Sequence, residues 1–331
     1  MRASVIGGGS WGTAFARLLS RAGIDTELVC RRAEQAAAVN ETHHNPDYLN
    51  DVELPAALAA STFEQNHLSE ADLAVIAVPS KAYREVVRRL AAFVNPAAAV
   101  LSLTKGLEPV TLKRLSEVLA EELPAPAGSR IMVLSGPNHA EEVARDIPTA
   151  TTIASADQEL AAWVQQLIST ESFRPYINTD LIGVELCAAS KNVIALAAGM
   201  SDGLGFGDNT KASLITRGLA EMSRLGEKLG ADASTFSGLA GMGDLIATCT
   251  SRHSRNRRAG ELIATGKTPE EAEAGMGMIA EGLTSARSVR ELARANGVEM
   301  PITEQVCSVI YEGKDVRRAV TELMTRTPRP E

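Results

Sequence analysis

The sequence predicts a doubly wound α/β domain followed by an all-α domain. Short runs of Val, Ile and Leu alternate with longer amphipathic segments in the first half of the chain, and the first of these runs ends in glycines. The strand pattern stops near residue 178, after which glycines and capping residues separate a series of helical patterns. Alternating strands and helices indicate a parallel sheet with helices on both faces. We therefore expect one domain at residues 1–178 and a second at residues 179–331.

Five buried strands are expected in the first domain, because five runs are rich in β-branched and other apolar residues. They are ASVIG (3–7), TELVC (26–30), LAVIAV (73–78), AVLSLT (99–104) and IMVLSG (131–136). Helical segments are expected between them at 12–22, 80–94 and 110–123. The helices expected in the second domain are 180–199, 209–229, 254–265, 268–274, 284–296, 302–312 and 316–325.

The composition favours a soluble cytoplasmic protein. The 331 residues are 45% hydrophobic and carry a formal net charge of −8. This acidic balance argues against a general nucleic-acid binder, which needs a broad excess of Lys and Arg. The first apolar run breaks into glycines too soon for a secretory signal. No uninterrupted apolar run reaches the ~18 residues that a membrane-spanning helix needs.

The four cysteines are expected to be reduced and mostly buried. Cys30, Cys187, Cys249 and Cys307 lie far apart along the chain without any CxxC spacing. A disulfide framework or a zinc site would require closer and more regular spacing. We therefore expect no metal site.

The first strand leads into a glycine motif that predicts dinucleotide binding in a Rossmann-type domain. Gly7, Gly9 and Gly12 follow the strand in GxGxxG spacing and open a helix. In such a site the first glycine makes the turn, the second lets the backbone approach a pyrophosphate, and the third lets the helix pack against the strand. The free N–H groups of the helix then face the phosphates. A glycine turn without a ligand is the alternative.

Two arginines at the end of the second strand indicate that NADPH is used. An NAD-preferring site tends to carry an acidic residue there, for the ribose hydroxyls. This chain has Arg31 and Arg32 instead, and arginines can accept a 2′-phosphate. Solvated surface arginines are the alternative interpretation.

Lys191 is the candidate proton donor. It stands in the middle of a long, Ala-rich apolar helix, with Cys187, Ala188, Ile194 and Ala195 at helical spacing around it. Such a lysine lies either at the edge of the helix face or in a cavity. A lysine in a cavity suits proton transfer to a carbonyl oxygen. Its neighbour Asn192 is either part of the site or a core amide bonded to the backbone.

Three further loops carry candidate ligands. One loop contains Lys105, and another contains Gly136 and Asn138. Both loops come directly after predicted strands, where open α/β sheets bind ligands. In the second domain, the glycine-dense stretch 238–245 is expected to be a turn that exposes Asp244, for a substrate hydroxyl or a neighbouring lysine. A helix cap is the alternative for Asp244.

The run SRHSRNRR, residues 251–258, predicts an anion site at the start of a helix. Ser254 is a suitable cap for that helix, and Arg255 and Asn256 occupy its first turn. Arg257 and Arg258 are expected to serve the surface or ion pairs. A nucleic-acid patch is disfavoured because aromatic residues are not interleaved with the arginines.

Taken together, several short stretches of this sequence, called phrases below, make the chain resemble the bacterial NAD(P)-dependent glycerol-3-phosphate dehydrogenases. The shared phrases run in family order from residue 6 to about residue 314. They are GGGSWGTA, TKGLE, SGP, KNVIA, GMSDGLGFGDN, LITRGLAEM, GMGDL, SRNRR, VEMPI and EGK. GMSDGLGFGDN and SRNRR are much more specific than the glycine fingerprint.

The resemblance implies reduction of dihydroxyacetone phosphate to sn-glycerol 3-phosphate, a phospholipid precursor, with NADPH or NADH and without a metal. It implies a homodimer, and it makes Lys191 the proton donor and acceptor. The implied substrate residues are Lys105, Gly136, Asn138, Lys191, Asp244, Ser254, Arg255 and Asn256. The implied cofactor residues are Gly7, Gly9, Ser10, Trp11, Gly12, Arg31, Arg32, Lys105, Ala140, Arg255, Ile279 and Glu281.

The chain departs from the family pattern at two places. After SGP the family usually has a small hydroxyl residue and then Phe, where this chain has Asn138 and His139. Ile279 stands where Val is commoner. The alternative functions are a 3-hydroxyacid or 6-phosphogluconate type of dehydrogenase, which also pairs lysine with asparagine, and a nicotinamide-binding regulator without turnover.

Overall fold

The structure, a computed structural model, describes residues 1–327, so residues 328–331 of the expected second domain lie outside the described part. The chain divides into two compact units. The first unit consists of Met1–Glu108 and Lys113–Glu185, and the second of Pro109–Leu112 and the chain from Leu186 onward.

The first unit is built on a sheet of eight strands. They are β1 (Arg2–Ile6), β2 (Asp25–Cys30), β3 (Ala59–Thr62), β4 (Leu73–Ile76), β5 (Ala99–Ser102), β6 (Ile131–Ser135), β7 (Thr149–Ala154) and β8 (Phe173–Asn178). Their order in the sheet is β3-β2-β1-β4-β5-β6-β7-β8. The order reverses at the β1–β4 pair, which is the switch point where doubly wound sheets bind ligands.

Helices cover both faces of this sheet. They are α1 (Ser10–Arg21), α2 (Ala33–Thr42), α3 (Tyr83–Leu90), α4 (Leu115–Glu122), α5 (Ala140–Val143) and α6 (Gln158–Ile168). Successive strand residues enter different cores: Val5 packs with the core that includes α1 and α6, and Ile6 packs with the core that includes α3 and α4. This alternation is the expected one for a strand buried on both faces.

The expected fold class is confirmed, but the sheet differs from the expectation in two ways. Strand β7 pairs antiparallel with β6, whereas the other neighbouring strands pair parallel, so the sheet is mixed rather than wholly parallel. Strands β3, β7 and β8 and helices α2, α5 and α6 were not expected. The segment expected to be helical from residue 110 begins its helix only at Leu115, since residues 107 to 114 form a turn closed by a bridge between Leu107 and Arg114.

The second unit is helical. After α7 (Leu181–Gly203), which begins in the first unit and ends in the second, it contains α8 (Asp208–Lys228), α9 (Ala233–Ser237), α10 (Asp244–Thr250), α11 (Arg255–Ala264), α12 (Pro269–Met276), α13 (Glu281–Ala295), α14 (Pro301–Glu312) and α15 (Val316–Met324). The helices expected from the sequence are all present with bounds shifted by a few residues. Helices α9 and α10 were not expected.

Helix α7 is the core helix of this arrangement. It is long and apolar enough to cross a bilayer by length and composition, but 89% of its most apolar window is buried inside the protein. Burial of that kind is typical of a central helix in a globular protein. Gly199 and Gly203 on α7 let the backbone of α11 pack closely against it.

Candidate active site

The glycine loop after β1 has the geometry that a dinucleotide requires. Gly7 has a φ of +119°, a conformation that favours glycine, and an added Cβ would lie 2.9 Å from the carbonyl carbon of Ala77. At Gly9 an added Cβ would meet nothing within 4 Å, so the backbone there is open to a ligand. A Cβ on Gly12 would lie 3.1 Å from the carbonyl carbon of Gly7. Ser10 and Trp11 begin α1, whose first N–H groups suit a pyrophosphate.

Arg31 and Arg32 are exposed directly after β2. Arg32 forms an ion pair with Asp47, and both side chains are partly exposed, at 48% and 35%. Asp47 is itself held, because its backbone N–H donates to Oδ1 of the fully buried Asn45 at 3.2 Å. An added phosphate would therefore compete with Asp47 for Arg32.

Lys105, Gly136 and Asn138 are brought together at the carboxyl ends of β5 and β6. Lys105 Nζ donates to the carbonyl oxygen of Gly136 at 3.0 Å and to Oδ1 of Asn138 at 2.7 Å. The amide of Asn138 then donates to Oγ1 of Thr151 at 2.9 Å. Asn138, where the family usually has a hydroxyl residue, thus fixes the direction of the Lys105 ammonium. Ala140 follows as the first residue of α5.

Lys191 lies in the interior of the second unit and is only 5% exposed. Its Nζ donates to Oδ1 of Asp244 at 2.6 Å and to Oγ1 of Thr248 at 2.7 Å. Thr248 in turn donates to the carbonyl oxygen of Asp244 at 2.6 Å. Lys191 is therefore buried and does not lie at the edge of the helix face, which was the other alternative.

The expectation of an exposed Asp244 in a glycine turn is wrong. Residues Leu239–Gly243 form a π-helical turn that leads directly into α10, whose first residue is Asp244. The turn carries the carboxylate inward, so that Asp244 is 2% exposed. Its bond to Lys191 matches the alternative of a neighbouring lysine, and the burial explains why a charge partner is required.

The run of arginines opens α11, as its spacing predicts. Ser254 caps this helix, since its Oγ accepts from the N–H of Arg257 at 3.2 Å. Arg255 is exposed in the first turn, where helix N–H groups favour an anion. Arg257 bonds to Asp202 and Glu261, which confirms its expected role in ion pairs, and Arg258 is exposed.

Asn256 points inward rather than to solvent. It is 8% exposed, its Nδ2 donates to Oδ1 of Asn192 at 2.8 Å, and its Oδ1 accepts from the N–H of Gly282 at 2.8 Å. Asn192 also donates to the carbonyl oxygen of Ala188 at 3.3 Å. These bonds join α7, α11 and the start of α13. Glu281 begins α13, and Ile279, 42% exposed, lies just before it.

Three residues that sequence reasoning did not single out support these groups. Thr248 lies four residues after Asp244 on the same helix face, which is the signal that could have found it. Asp202 belongs to the specific phrase GMSDGLGFGDN but was given no role. Glu108 closes the TKGLE phrase and bonds to Arg84 on α3, with 2.7 Å between Arg84 Nη2 and Glu108 Oε2.

The buried thiols have no signs of reactivity. All four cysteines are buried, as expected. Burial raises the pKa of the Cys249 thiol to about 12, although Lys191 and Lys211 oppose this shift. Among residues 1–327, no group of three or more His, Cys, Asp or Glu side chains is arranged to hold a metal ion.

Comparison with known proteins identifies the family. The sequence model for the N-terminus of NAD-dependent glycerol-3-phosphate dehydrogenase matches residues 2–161, and the model for its C-terminus matches residues 180–321. A curated relative from Pelotomaculum thermopropionicum, named glycerol-3-phosphate dehydrogenase (NAD(P)+), is 50% identical over 98% of this chain and 93% of its own length. A relative of the same name from Streptomyces griseus is 50% identical over 100% of this chain and 98% of its own length.

A solved structure agrees with the sequence comparisons. The crystal structure of glycerol-3-phosphate dehydrogenase from Coxiella burnetii superposes with a TM-score of 0.93 at 38% identity, covering 98% of this chain and 99% of that one. The resemblance inferred from the short phrases is therefore confirmed over nearly the whole chain, in preference to the other dehydrogenase types. The chain belongs to the NAD-dependent glycerol-3-phosphate dehydrogenase family.

Proposed function

We propose that this protein is an NAD(P)-dependent sn-glycerol-3-phosphate dehydrogenase that reduces dihydroxyacetone phosphate to sn-glycerol 3-phosphate for glycerophospholipid synthesis. The observation that carries the proposal is the buried Lys191, bonded to Asp244 and Thr248 in a member of this family. An ammonium group held in the protein interior by two oxygens has a defined direction. Such a group suits proton transfer to a carbonyl oxygen.

Lys191 is proposed to donate the proton to the ketone oxygen. An ammonium has three N–H donors, and among the described residues two are used by Asp244 and Thr248, which leaves one for the substrate. When bound, the nicotinamide supplies the hydride to the carbonyl carbon. Negative charge then develops on the ketone oxygen, where the ammonium stabilises it before transferring the proton. Asp244 holds the Lys191 side chain in place for this transfer.

The substrate phosphate is assigned to the first turn of α11. Arg255 is exposed there, and the turn is capped by Ser254. Charge-assisted bonds of about 1.5–3 kcal/mol each would make the protein prefer the phosphorylated ketone to dihydroxyacetone. The full set of proposed substrate residues is Lys105, Gly136, Asn138, Lys191, Asp244, Ser254, Arg255 and Asn256.

The glycine loop and α1 are proposed to hold the cofactor pyrophosphate, with NADPH and NADH both accepted. The open space at Gly9 supports this assignment. The proposed cofactor residues are Gly7, Gly9, Ser10, Trp11, Gly12, Arg31, Arg32, Lys105, Ala140, Arg255, Ile279 and Glu281. Residues 1–178 would form the cofactor domain and residues 179–331 the substrate domain.

The family resemblance also supports a cytoplasmic homodimer. This assembly is a proposal that light scattering of the purified protein would test directly. A molar mass near that of a single chain at micromolar concentration would contradict it.

The decisive experiment is a spectrophotometric assay of the purified protein. Addition of dihydroxyacetone phosphate to protein and NADPH should lower the absorbance of the reduced cofactor, and NADH should be tested beside it. Unphosphorylated dihydroxyacetone is the matched control and should react far more slowly. Cofactor binding without turnover of dihydroxyacetone phosphate would instead favour a nicotinamide-binding regulator.

A further inference from the structure

The phrase GMSDGLGFGDN, residues 199–209, has no role in the function proposed above. Its first part forms the end of α7, the helix that also carries Lys191. Gly199, Asp202 and Gly203 are spaced by three and four residues, so they share one face of that helix. All three contact α11, the helix whose first turn is assigned to the substrate phosphate.

The two glycines let the backbones of α7 and α11 approach closely. A Cβ added to Gly199 would lie 2.7 Å from the carbonyl carbon of Arg257. A Cβ added to Gly203 would lie 2.7 Å from the carbonyl oxygen of Glu261 and 2.8 Å from Cβ of Ala264. All three distances are shorter than a Cβ tolerates, so a larger residue at either position would push the helices apart.

Helix α11 contributes a glycine of its own to this contact. A Cβ added to Gly260 would lie 2.8 Å from the backbone nitrogen of Met200 on α7. The approach is therefore close from both sides. This close contact fixes the position of α11 against α7, the helix that carries Lys191.

Asp202 adds a charged bond to this packed face. Its Oδ2 accepts from Nε of Arg257 at 2.6 Å, and its Oδ1 pairs with Nζ of Lys211 at 2.8 Å. The carboxylate is 12% exposed, so solvent screens these bonds only partly. Arg257 directly follows Arg255 and Asn256, so the pair holds the first turn of α11 at the position where it would meet an anion.

We infer that Gly199, Asp202 and Gly203 form the surface of α7 that holds the anion-binding turn of α11 in position. Asp202 is then a positioning residue for recognition of the substrate phosphate. The inference rests on the proposed function, since it names a residue that acts through the proposed phosphate site. Asp202 does not touch the substrate. It acts by holding Arg257, and through Arg257 the backbone N–H groups and Arg255 of the same turn.

The test compares two substrates in two variants. Asp202→Asn keeps the shape of the side chain but removes the charge that holds Arg257. We expect kcat/KM for dihydroxyacetone phosphate to fall by about tenfold or more, mainly through KM, and kcat/KM for dihydroxyacetone to stay within about twofold. Glu261→Gln is the matched control, because Glu261 also pairs with Arg257 at 2.7 Å but lies on α11 itself and does not link the two helices. That variant should keep the wild-type ratio of the two substrates.

Three results would overturn the inference. The first is an unchanged substrate ratio in Asp202→Asn while Arg255→Ala lowers it. The second is an equal loss with both substrates, which would indicate a merely structural role. The third is the same change of ratio in Glu261→Gln. If Asp202→Asn does not fold, Arg257→Gln removes the same ion pair and should change the ratio in the same way, whereas a wild-type protein without turnover would contradict the proposed function itself.

Discussion

Lys191 and Asp244 form a buried ion pair, with 2.6 Å between Nζ and Oδ1 and side-chain exposures of 6% and 2%. Each partner compensates the loss of hydration of the other, since an unpaired charge at such a depth is strongly unfavourable. The pair also holds the ammonium in one direction, with Thr248 as its second acceptor. One contact thus affects both turnover and stability, and the two effects can be separated by mutation.

Replacement of Lys191 by methionine should lower kcat by about 10²–10⁴-fold, because the proton donor to the ketone oxygen is lost. The KM for the cofactor should change little, since the ammonium acts mainly in the transition state. Steady-state assays with dihydroxyacetone phosphate would measure both quantities. The exposed Lys228 on α8 offers a control, and Lys228→Met should leave kcat near the wild-type value. Normal turnover in Lys191→Met would exclude the proton-donor role.

The same substitution should destabilise the protein by leaving Asp244 buried without its cation. Breaking a buried pair in this way costs about 3–5 kcal/mol. A second change, Asp244→Asn, removes the unpaired charge, so Lys191→Met/Asp244→Asn should be more stable than Lys191→Met alone. Denaturant unfolding at neutral pH would measure the difference. A double variant that is less stable than the single one would show that the pair does not govern stability here.

Arg31 and Arg32 should determine the use of NADPH. Replacing both by alanine should raise KM for NADPH about tenfold or more and change KM for NADH little, because only NADPH carries the 2′-phosphate. Asp47→Asn is an informative companion, since it frees Arg32 from its ion pair and should lower KM for NADPH. Equal effects of the double alanine variant on the two cofactors would mean that the arginines do not bind that phosphate.

The sequence was sufficient for the parts of the fold that have strong local patterns. The central strands β1, β4 and β5 are mostly apolar and buried on both faces, and the glycine loop and the helices beside them have equally clear signals. Strand β7 was missed because TATTIA contains only one large apolar residue, Ile153. Strand β8 was missed because FRPYIN contains a proline and alternates with exposed residues, as a strand at the sheet edge does. Strand β3 is alanine-rich and therefore gives little strand signal.

The site was predictable at the level of residue types, but not of their contacts. Ser254 as a helix cap follows from local spacing, and the structure contains that bond. The burial of Asp244 depends on a π-helical turn. The local sequence does not indicate this turn, because a stretch rich in glycine predicts an exposed one. The partners of Asp202 and Glu108 lie 55 and 24 residues away in sequence, so tertiary packing alone brings them together.

Arg84 should position Lys105 through Glu108, the last residue of the TKGLE phrase. Glu108 has a side chain only 9% exposed, and it receives two N–H groups of Arg84. Arg84→Met removes both of these bonds to Glu108 and should loosen the loop, so kcat/KM for dihydroxyacetone phosphate should fall about tenfold. Arg88→Met is the control, because Arg88 lies on the same helix and pairs with Glu122 at 3.0 Å. Equal activity in the two variants would contradict this role.

Glu221 should make stability depend on pH in the second unit. Its buried carboxylate, on α8, accepts from the N–H groups of Ile302 at 2.6 Å and Thr303 at 3.2 Å, at the start of α14. Burial raises the pKa of the Glu221 carboxyl to about 7, whereas backbone bonds and Arg224 oppose the shift. A glutamate in an unfolded chain titrates near about 4.3. Between these two values the native state therefore binds more protons than the unfolded state.

The free energy of unfolding should consequently fall as the pH rises from about 4.3 to about 7, and the Glu221 contribution should be constant above that range. Its size is roughly 3–4 kcal/mol, since each pKa unit corresponds to about 1.4 kcal/mol. Glu221→Gln cannot ionise, so its free energy of unfolding should decrease less between pH 5 and pH 7 than that of the wild type. Glu227→Gln, an exposed position on the same helix, should keep the wild-type slope. Urea unfolding across this pH range measures the three slopes, and identical slopes for wild type and Glu221→Gln would show that Glu221 is already ionised at pH 5.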